Sequence, residues 1–355
     1  IFSIATGTSF GTIGTAGLAL MGIGEVLEYP AGLTVGAIVS GAYIGDKMSP
    51  ASDTTNVASA ITDTNLFRHI YSMMYTTLPA AILCLIIYGV ISMRYGGGQL
   101  PSEIEVVMSG LAQNFNLGIV TLIPPILLIL LATVFRMPAI PTLVISIFAG
   151  VIVALVLQKT GFTQILQIAT SGFVPETGIE LIDGLLKRGG IESMFSTVAL
   201  MICALILGGV LEGTKVLDTL VYILLKKVKT VGGLIAAVLA SCYLLLAGTG
   251  NVFVSIIVPG RAFSSAFKEK KIESSVLSRT LEDAATVGSP LIPWSLAAIF
   301  TSGVLKISPL EYLPFTFLGM LVPIFSIIYG FTGFAIFKEN TEYTGENDKK
   351  IVSSI

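Results

Sequence analysis

The chain has 355 residues, of which 54% are apolar and 12% are charged, whereas about a quarter of the residues of an ordinary soluble domain are charged. Its formal net charge of −2 excludes a protein that attracts nucleic acid through a strongly basic surface. The three cysteines lie far apart within apolar runs, which argues against a disulfide framework or a zinc site; they are Cys84, Cys203 and Cys242.

Nine uncharged stretches approach or exceed the roughly 20 apolar residues that a helix needs to cross a bilayer. They cover residues 1–24, 29–45, 70–93, 116–135, 137–158, 193–211, 230–260, 284–305 and 312–337. This pattern predicts an all-α polytopic membrane protein. The chain opens at Ile1 within an apolar stretch and shows no cleavable signal peptide, so we interpret it as N-terminally truncated.

Two distant regions of the chain contain similar short motifs in the same order. In the first half these are Gly7-Thr8-Ser9, Ser49-Pro50, Leu78-Pro79 and Ile86-Ile87-Tyr88-Gly89. In the second half they are Gly248-Thr249-Gly250-Asn251, Ser289-Pro290, Leu313-Pro314 and Ile327-Ile328-Tyr329-Gly330, at closely matched spacing. An internal repeat in a membrane protein with many helices is typical of a transporter fold. The alternative is a chance similarity between helices rich in Gly, Ser and Pro.

The charges of the loops predict their sides of the membrane, because cytoplasmic loops carry an excess of Lys and Arg. Residues 212–229 and 261–273 both contain more basic than acidic residues, which places both on the cytoplasmic side. The stretch between them is therefore predicted to enter the membrane and return as a re-entrant hairpin, with its turn at Gly248-Thr249-Gly250-Asn251. The same rule places Arg68 and Arg136 on the cytoplasmic side.

The repeat predicts a matching hairpin in residues 1–24, with its turn near Gly7–Thr12. Its exit loop contains Glu25 and Glu28 and no basic residue, so this loop is expected to face the outside. The two hairpins then open to opposite sides. This predicts an inverted-repeat transporter with re-entrant hairpins and broken helices, the architecture that supports alternating access.

The repeat divides the chain into two cores joined by other helices. Residues 215–229 are predicted to form an amphipathic helix on the inner membrane surface, and residues 161–190 to lie on the outer surface. The predicted units are residues 1–93 (first repeat core), 94–229 (linking and scaffold helices), 230–337 (second repeat core) and 338–355 (polar C-terminal tail).

A polar string interrupts the apolar sequence of the first core: Gly45-Asp46-Lys47-Met48-Ser49-Pro50-Ala51-Ser52-Asp53-Thr54-Thr55-Asn56. Pro50 removes one backbone donor and disfavours helical geometry at Ser49, so a broken helix is expected. Ionisable residues at membrane depth usually face a cavity, an ion path or a partner. The oxygens of this string suit Na+, and its carboxylates can exchange the ion for a proton; the candidates are Asp46, Ser49, Asp53, Thr54, Thr55 and Asn56. The alternative is an Asp46–Lys47 pair at a loop edge, with Asp53 as the N-cap of the next helix.

The corresponding string of the second core runs from Arg279 to Trp294. It places Glu282 and Asp283 at the head of an uncharged run that leads to Ser289-Pro290, so Asp283 and Ser289 are candidates for a second half-site. Arg279 lies one helical turn from Asp283, either as its ion-pair partner or as a group that neutralises an anionic substrate. The alternative is a salt bridge at the membrane edge. Trp294 is either an interfacial anchor or a wall of the site.

The two predicted hairpin turns add further polar oxygens. Those of the first turn belong to Thr8, Ser9 and Thr12, and those of the second to Thr249 and Asn251. Helix ends that point at the middle of the bilayer also present their dipoles to a bound ion.

The run Gly7-Thr8-Ser9-Phe10-Gly11 matches the G-x-S-x-G pattern of serine hydrolases. That motif needs a preceding strand, a following helix and a histidine base, whereas this run lies in an apolar membrane segment. The one histidine of the chain, His69, is distant in sequence and is interpreted as a loop residue rather than a proton relay. The protein is therefore not expected to be an enzyme.

Four segments of the chain resemble the NhaC family of sodium/proton antiporters. They are GTSFGTIGTAGLALMGIG at 7–24, GAYIGDKMSPASDTTN at 41–56, YTTLPA at 75–80 and LEDAATVGSPLIPW at 281–294. The resemblance covers essentially the whole chain, with the first helices of the family absent. It implies electrogenic exchange of Na+ for H+, both transported rather than held as cofactors, in the cell membrane of a prokaryote. The family also includes exchangers of malate for lactate, and no local motif separates the two activities here.

Carried over position by position, the resemblance places Asp46, Ser49, Asp53, Thr54, Thr55 and Asn56 in one half-site, and Asp283, Ser289 and Pro290 in the other. The leading hypothesis is a secondary antiporter in which Asp46, Asp53 and Asp283 alternately bind Na+ and protons. The alternatives are an organic-acid exchanger, in which Arg279 or Lys47 meets a carboxylate, and a passive ion channel. The expected partners are the lipid bilayer, Na+ and H+, with small organic acids in the alternative function, a second copy of the chain in an oligomer, and no nucleic acid.

Overall fold

The computed structural model describes residues 2–95, 102–133, 135, 137, 139–179, 182, 183, 186, 187, 189–226 and 228–338. Among these residues the regular structure is helical, apart from one isolated bridge between Ile272 and Lys338. The prediction of an all-α fold is therefore confirmed. Apart from Lys338, the predicted polar tail lies outside the described residues, as does Arg136.

The first repeat core begins with two helices that meet at a sharp turn. The first, α1, ends before Gly7, whose φ of +67° redirects the chain, and Thr8 then caps the next helix. This turn lies in the predicted region. The elements of the core are α1 (Phe2–Thr6), α2 (Ser9–Thr12), a π-helical turn (Ile13–Gly17), α3 (Leu18–Val26), α4 (Ala31–Met48), α5 (Asp53–Ile61) and α6 (Leu66–Ser92).

The predicted break lies in the middle of the polar string, between the end of α4 at Met48 and the start of α5 at Asp53. Ser49 is extended, with φ −86° and ψ 130°, because the Pro50 ring excludes helical geometry at the residue before it. The next helix, α5, starts at Asp53, after Ser52 in the non-helical N-cap position. Asp53 is therefore the first residue of α5, and the alternative interpretation of Asp53 as the N-cap is wrong.

The linking region contains shorter helices, several of which expose broad apolar faces. They are α7 (Ser102–Asn114), α8 (Ile123–Thr133), α9 (Ala139–Val156), α10 (Phe162–Ser171), α11 (Phe195–Gly213) and α12 (Val216–Lys226). Phe148 on α9 and Ile206 on α11 are exposed, which suits contact with lipid. The helix α12 buries Leu217 and Val221 and exposes Tyr222, so the predicted amphipathic helix is observed; its place on the inner membrane surface stays a prediction.

The second repeat core contains α13 (Val231–Thr249), α14 (Val252–Glu269), α15 (Ser274–Gly288), α16 (Leu296–Leu305), α17 (Pro309–Tyr312) and α18 (Phe317–Thr332). Its first turn is at Gly250, with φ +65°, and Asn251, within the four residues predicted. The second arm extends beyond the predicted stretch 230–260, because α14 runs to Glu269. The first arm, α13, has 19 residues, which is enough to cross a bilayer. A re-entrant form of this hairpin stays a prediction.

The two cores contain the same order of turns and breaks at a constant offset in numbering. The corresponding residues are Gly7 and Gly250 in the turns, Thr8 and Asn251 at the N-caps after them, Pro50 and Pro293 in the breaks, and Ser52 and Ser295 at the next N-caps. The sequence motifs paired Ser49-Pro50 with Ser289-Pro290, whereas the structural correspondence pairs Pro50 with Pro293. Ser289 and Pro290 instead begin a 3-10 turn that follows directly on α15. Proline is accepted at the first positions of such a turn, because a backbone N–H there has no partner within the turn. The chain then bends by 43° before α16.

Three of the described helices are long and apolar enough to cross a membrane: Leu66–Ser92, Glu192–Gly213 and Val231–Thr249. Three bent pairs also qualify when each is taken as one span: Met108–Asn114 with Ile119–Leu128, Ser274–Leu291 with Leu296–Leu305, and Pro309–Phe315 with Phe317–Thr332. Their bends are 100°, 43° and 50°. By length and composition, the described residues thus contain up to six spans, which fits a polytopic membrane protein.

The helix α15 lies at the centre of the bundle. All its residues from Ser275 to Gly288 are buried, although many are polar or charged. It packs against α4, α5 and α6 of the first core and against α13, α14 and α18 of the second. A helix with charged groups that is enclosed on all sides has no contact with lipid or bulk water, so partners for those groups can come only from neighbouring helices or from cavities. This packing brings Glu282 and Asp283 into the interior of the bundle.

Candidate functional site

The two turns and the two breaks meet around one cavity of about 150 Å³. Its wall contains hydroxyl, amide and carboxylate side chains from both repeat cores. The polar residues that line it are Thr8, Ser9, Tyr43, Asp46, Asp53, Thr54, Asn251, Thr286 and Ser289. The volume is smaller than the roughly 300 to 1,000 Å³ of sites for drug-sized ligands. It suits a small ion that keeps some of its water.

Asp46 supplies a buried carboxylate to the cavity wall. It is 4% exposed, and its Oδ1 accepts a hydrogen bond from Ser52 Oγ at 2.7 Å. The Ser52 hydroxyl is also 3.1 Å from Thr54 Oγ1. The hydroxyl and backbone N–H of Ser9 lie close enough to interact with the same carboxylate. Donors from the first break and the first turn therefore hold Asp46 in place.

Asp53 supplies a second carboxylate, which is exposed at the edge of the cavity. Its Oδ1 accepts a hydrogen bond from the Thr54 backbone N–H at 2.8 Å. The exposed Asp53 is thus held by fewer protein groups than the enclosed Asp46, which depends on the donors around it. The two acids are close enough for their charges to interact. Together they make the cavity attractive to a cation.

Two glycines allow each turn to lie directly against a break. A Cβ atom on Gly7 would be 2.7 Å from the carbonyl carbon of Ala51, and one on Gly250 would be 3.1 Å from the carbonyl oxygen of Trp294. Both glycines also have a positive φ, a conformation that other residues adopt at a cost. The Leu296 N–H donates to the Gly250 carbonyl at 3.1 Å. Each turn is thus packed onto the break of its own repeat core.

Several predicted ligands use their polar atoms within the protein and do not line this cavity. They donate to backbone carbonyls: Ser49 Oγ to Ile4 at 2.8 Å, Thr55 Oγ1 to Lys47 at 3.1 Å, Asn56 Nδ2 to Pro50 at 2.9 Å, Thr249 Oγ1 to Leu245 at 2.8 Å and Thr12 Oγ1 to Thr8 at 2.8 Å. Pro290 accepts a hydrogen bond from Tyr312 OH at 3.2 Å. These groups stabilise the turns and breaks that surround the cavity.

Lys47 and Asp283 form a buried ion pair beside the cavity, between Lys47 Nζ and Asp283 Oδ1. The same carboxylate oxygen accepts a hydrogen bond from Thr76 Oγ1 at 2.9 Å. Neither charged residue is among those that line the cavity. The alternative of a local Asp46–Lys47 pair is therefore wrong, because the Lys47 side chain extends from α4 to α15 instead.

Arg279 is not the partner of Asp283, so that interpretation is also wrong. Its Nη1 donates to the Ala335 carbonyl at 3.0 Å, while Nε and Nη2 have no hydrogen-bond partner among the described residues. It is completely buried and is not among the residues that line the cavity. Trp294 is likewise no wall of the cavity, because its Nε1 donates to the Ala247 carbonyl at 2.7 Å and joins the second break to the end of α13.

A polar face of α6 meets α15, and the candidate residues named from the sequence do not include it. His69 is not the loop residue expected from the sequence, because it lies in α6, is completely buried, and its Nδ1 is 2.7 Å from Ser278 Oγ. Ser72 and Thr76 follow at helical spacing and are also buried. That spacing of polar residues was the available signal, since residues three and four apart share one face of a helix.

A larger cavity of about 470 Å³ lies between the first turn helices, α4 and α6. Its walls are mostly aliphatic, with residues such as Leu20, Ile23 and Leu33, and neither Asp46 nor Asp53 contributes to them. An apolar wall of this kind cannot replace the water of an ion. The smaller acidic cavity is therefore the candidate site.

The sequence is similar to a family model and to several known transport proteins. Residues 41–334 match the model of the Na+/H+ antiporter family. The chain is 40% identical to the Na+/H+ antiporter NhaC of Alkalihalophilus pseudofirmus, over 96% of this chain and 74% of that protein. It is 37% identical to the arginine/ornithine antiporter ArcD of Halobacterium salinarum, over 98% of this chain and 72% of that protein. It is also 37% identical to the malate-2H+/Na+-lactate antiporter of Bacillus subtilis, over 96% of this chain and 73% of that protein.

These similarities confirm the resemblance found in the four sequence segments. The match to the family model includes both breaks, the second turn and the central helix α15. Relatives that are named for different substrates are almost equally similar to this chain, so overall identity does not decide the substrate. The chain belongs to the Na+/H+ antiporter family.

Proposed function

We propose that this protein is a secondary active transporter that exchanges Na+ for H+ across the cell membrane of a prokaryote. The family match and the 40% identity to a Na+/H+ antiporter support this function. Within the molecule, the observation that supports it is the acidic cavity. Asp46 and Asp53 line it together with hydroxyl groups, and no Lys or Arg is among the described residues that do so. Oxygen ligands of this kind suit Na+.

Asp46 and Asp53 are the proposed Na+ ligands. In this proposal the shell of the ion is completed by polar atoms of other residues that line the cavity: Thr8, Ser9 and Asn251 at the turns, Thr54 at the start of α5 and Ser289 at the end of α15. Asp283 has a different role in this proposal, because Lys47 and Thr76 already bind it and it is not among the lining residues. The Lys47–Asp283 pair holds α4 against α15 beside the site.

Burial couples the two ions. A Na+ ion beside Asp46 adds a positive charge to an interior of low dielectric, which favours release of a proton from a neighbouring carboxylic acid. Return of the proton weakens Na+ binding by the same free energy, because the coupling between two binding equilibria is reciprocal. The two ions therefore oppose each other, which is the condition for exchange rather than joint transport.

Alternating access in this proposal comes from movement of one repeat core against the rest of the protein. The cavity lies where the turns and breaks of both cores meet, so a small relative rotation would open it to one side and close it to the other. Each turn is packed on the break of its own core through Gly7 or Gly250. Each core can therefore move with its half of the site intact.

The relatives suggest two other substrates, and the cavity favours one of them. Arginine and ornithine are cations, so exchange of a cationic amino acid is the second candidate function, and the carboxylates of Asp46 and Asp53 fit it. Malate and lactate are anions and would need a basic group in the site. Lys47 is bound to Asp283, and Arg279 lies away from the cavity lining, so organic-acid exchange has less support.

The proposal is tested with the full-length protein reconstituted in liposomes that contain a pH-sensitive dye. An inwardly directed Na+ gradient should raise the internal pH, because protons leave as Na+ enters, whereas choline should have no effect. A response that requires arginine or ornithine would assign the second candidate function, and one that requires malate or lactate would assign organic-acid exchange. Na+ flux that never moves protons against their gradient would indicate a channel.

A further inference from the structure

Glu282 is a buried acid that the proposed Na+ site does not use. It lies in the middle of α15, is completely buried, and neither of its carboxylate oxygens has a hydrogen-bond partner among the described residues. Other acids in the interior are better supplied with donors. Asp46 accepts from Ser52, and Asp283 accepts from Lys47 and Thr76.

No cation forms an ion pair with Glu282 among the described residues, and this bears on its protonation. An ionised carboxylate that is removed from water without a compensating donor or counter-ion is strongly disfavoured, whereas a neutral carboxylic acid is tolerated far better. Asp283 next to it is stable as an anion because the Lys47 ammonium binds it directly. Glu282 has no such contact among the described residues, so the neutral acid is the form that its surroundings favour.

The charges around Glu282 connect it to the cavity. Lys47, Asp46 and Asp283 are close enough to act on it electrostatically, and the Cys242 thiol of α13 also lies nearby. The negative charge of Asp46 opposes ionisation of Glu282. A cation bound at Asp46 cancels that repulsion, so Glu282 loses its proton more readily when the cavity is occupied.

Thr286 links Glu282 to the cavity. It lies one helical turn after Glu282 on α15, interacts with that carboxyl group, and lines the cavity. Its own hydroxyl has no geometrically good hydrogen-bond partner within the described structure. A hydroxyl can accept one proton and donate another, so Thr286 is suited to pass a proton between Glu282 and water in the cavity.

We infer that Glu282 is the proton-binding residue of the exchange, separate from the carboxylates that bind the cation, and that Thr286 connects it to the cavity. The inference rests on the proposed Na+/H+ exchange. When Na+ binds at Asp46, the O–H bond of the Glu282 carboxylic acid breaks and the proton leaves through Thr286 to cavity water. In this step alone, one positive charge enters the interior and one leaves it. The reverse step restores the acid as Na+ departs.

The test uses purified full-length protein in a weakly buffered detergent solution. NaCl is added, proton release is followed with an indicator dye, and Na+ binding is followed by the shift of the thermal unfolding midpoint. The wild type should release about one proton for each bound Na+. Glu282→Gln should keep the Na+-induced shift of the unfolding midpoint but lose the proton release, because a glutamine side chain has no ionisable proton. Glu269→Gln, an exposed acid at the end of α14, is the matched control and should keep both responses.

Thr286 is tested in liposomes. Thr286→Val retains the shape of the side chain but removes the hydroxyl, and it should slow Na+-driven proton movement about tenfold or more. Thr286→Ser should restore the rate, since it returns the hydroxyl. A purely structural role would predict that serine, which lacks the methyl group, is no better than valine.

Proton release by Glu282→Gln at the wild-type level would overturn the inference about Glu282. It would not contradict the proposed Na+/H+ exchange. If the wild type neither releases protons on addition of Na+ nor exchanges the two ions in liposomes, the proposed function fails instead. Should the glutamine variant not fold, infrared spectroscopy of the wild type decides. The C=O band of a protonated carboxylic acid should disappear when Na+ is added, and a spectrum without that change would also overturn the inference.

Discussion

Lys47 on α4 and Asp283 on α15 form an ion pair in which both side chains are completely buried. The two residues are 236 positions apart in sequence, and the pair joins the first repeat core to the central helix of the second. Thr76 on α6 binds the same carboxylate. Three helices thus depend on one pair of compensating charges. Removal of one partner leaves a buried charge without its counter-ion.

Lys47→Met is expected to lower the free energy of unfolding by about 3 to 5 kcal/mol, the usual cost of an unpaired charge in a protein interior. The double variant Lys47→Met/Asp283→Leu removes both charges and should recover most of this loss, since an apolar pair of similar volume often replaces a buried ion pair well. Unfolding of the purified protein in detergent measures both. A single variant as stable as the wild type would show that Asp283 does not depend on Lys47.

Asp46→Asn is expected to abolish the response of the protein to Na+, because it removes the buried negative charge of the cavity while retaining the side-chain volume. Asp53→Asn should raise the half-saturating Na+ concentration by a smaller factor, since water can replace a lost oxygen ligand more readily at an exposed position than at a buried one. The measurement is the initial rate of Na+-driven pH change in liposomes as a function of Na+ concentration.

Asp63→Asn is the control for both aspartate variants, because it makes the same change in charge at an exposed residue just beyond α5. It should behave as the wild type. If Asp46→Asn also retains the wild-type dependence on Na+, the cavity between the turns and breaks is not the cation site.

Gly7→Ala and Gly250→Ala are each expected to destabilise the protein by about 1 to 2 kcal/mol, because alanine is strained at a positive φ and its Cβ would crowd the adjacent break. Exchange should slow as well, since both turns border the cavity. Gly89→Ala is the control: a Cβ there meets nothing within 4 Å, and alanine is favoured within a helix. Equal stability of all three variants would contradict the close packing of turn on break.

Arg68→Lys is expected to cost about 1 kcal/mol in the free energy of unfolding, although it conserves the charge. Arg68 donates from Nε and Nη2 to the two carboxylate oxygens of Glu273, at 2.6 and 2.7 Å, and its guanidinium lies 4.5 Å from the centre of the Phe337 ring. A lysine cannot reproduce the paired hydrogen bonds or the stacking. Thermal unfolding measures the effect, with Arg94→Lys at an exposed position as a control that should change nothing.

The amino-acid sequence by itself determined the class of the protein and the places where its helices are interrupted. Apolar stretches of bilayer length predicted a membrane protein, and the resemblance in four segments predicted its family. Pro50 predicted the first break, and the Gly-Thr-Gly-Asn run predicted the second turn. These features are local, because a missing backbone donor or a positive φ acts on the residue itself and its neighbours, whatever the rest of the chain does.

Only the tertiary structure decided which oxygens share a cavity and which charges pair. Sequence spacing placed Arg279 beside Asp283, since residues one turn apart share a face, but it carries no information on which other helix meets that face. The structure brings Lys47 to Asp283 and buries His69 against Ser278. Glu282 and Asp283 are adjacent in sequence but about 100° apart around α15. One of them therefore reaches a lysine on another helix, while the other has no hydrogen-bond partner in the part of the chain that the structure describes.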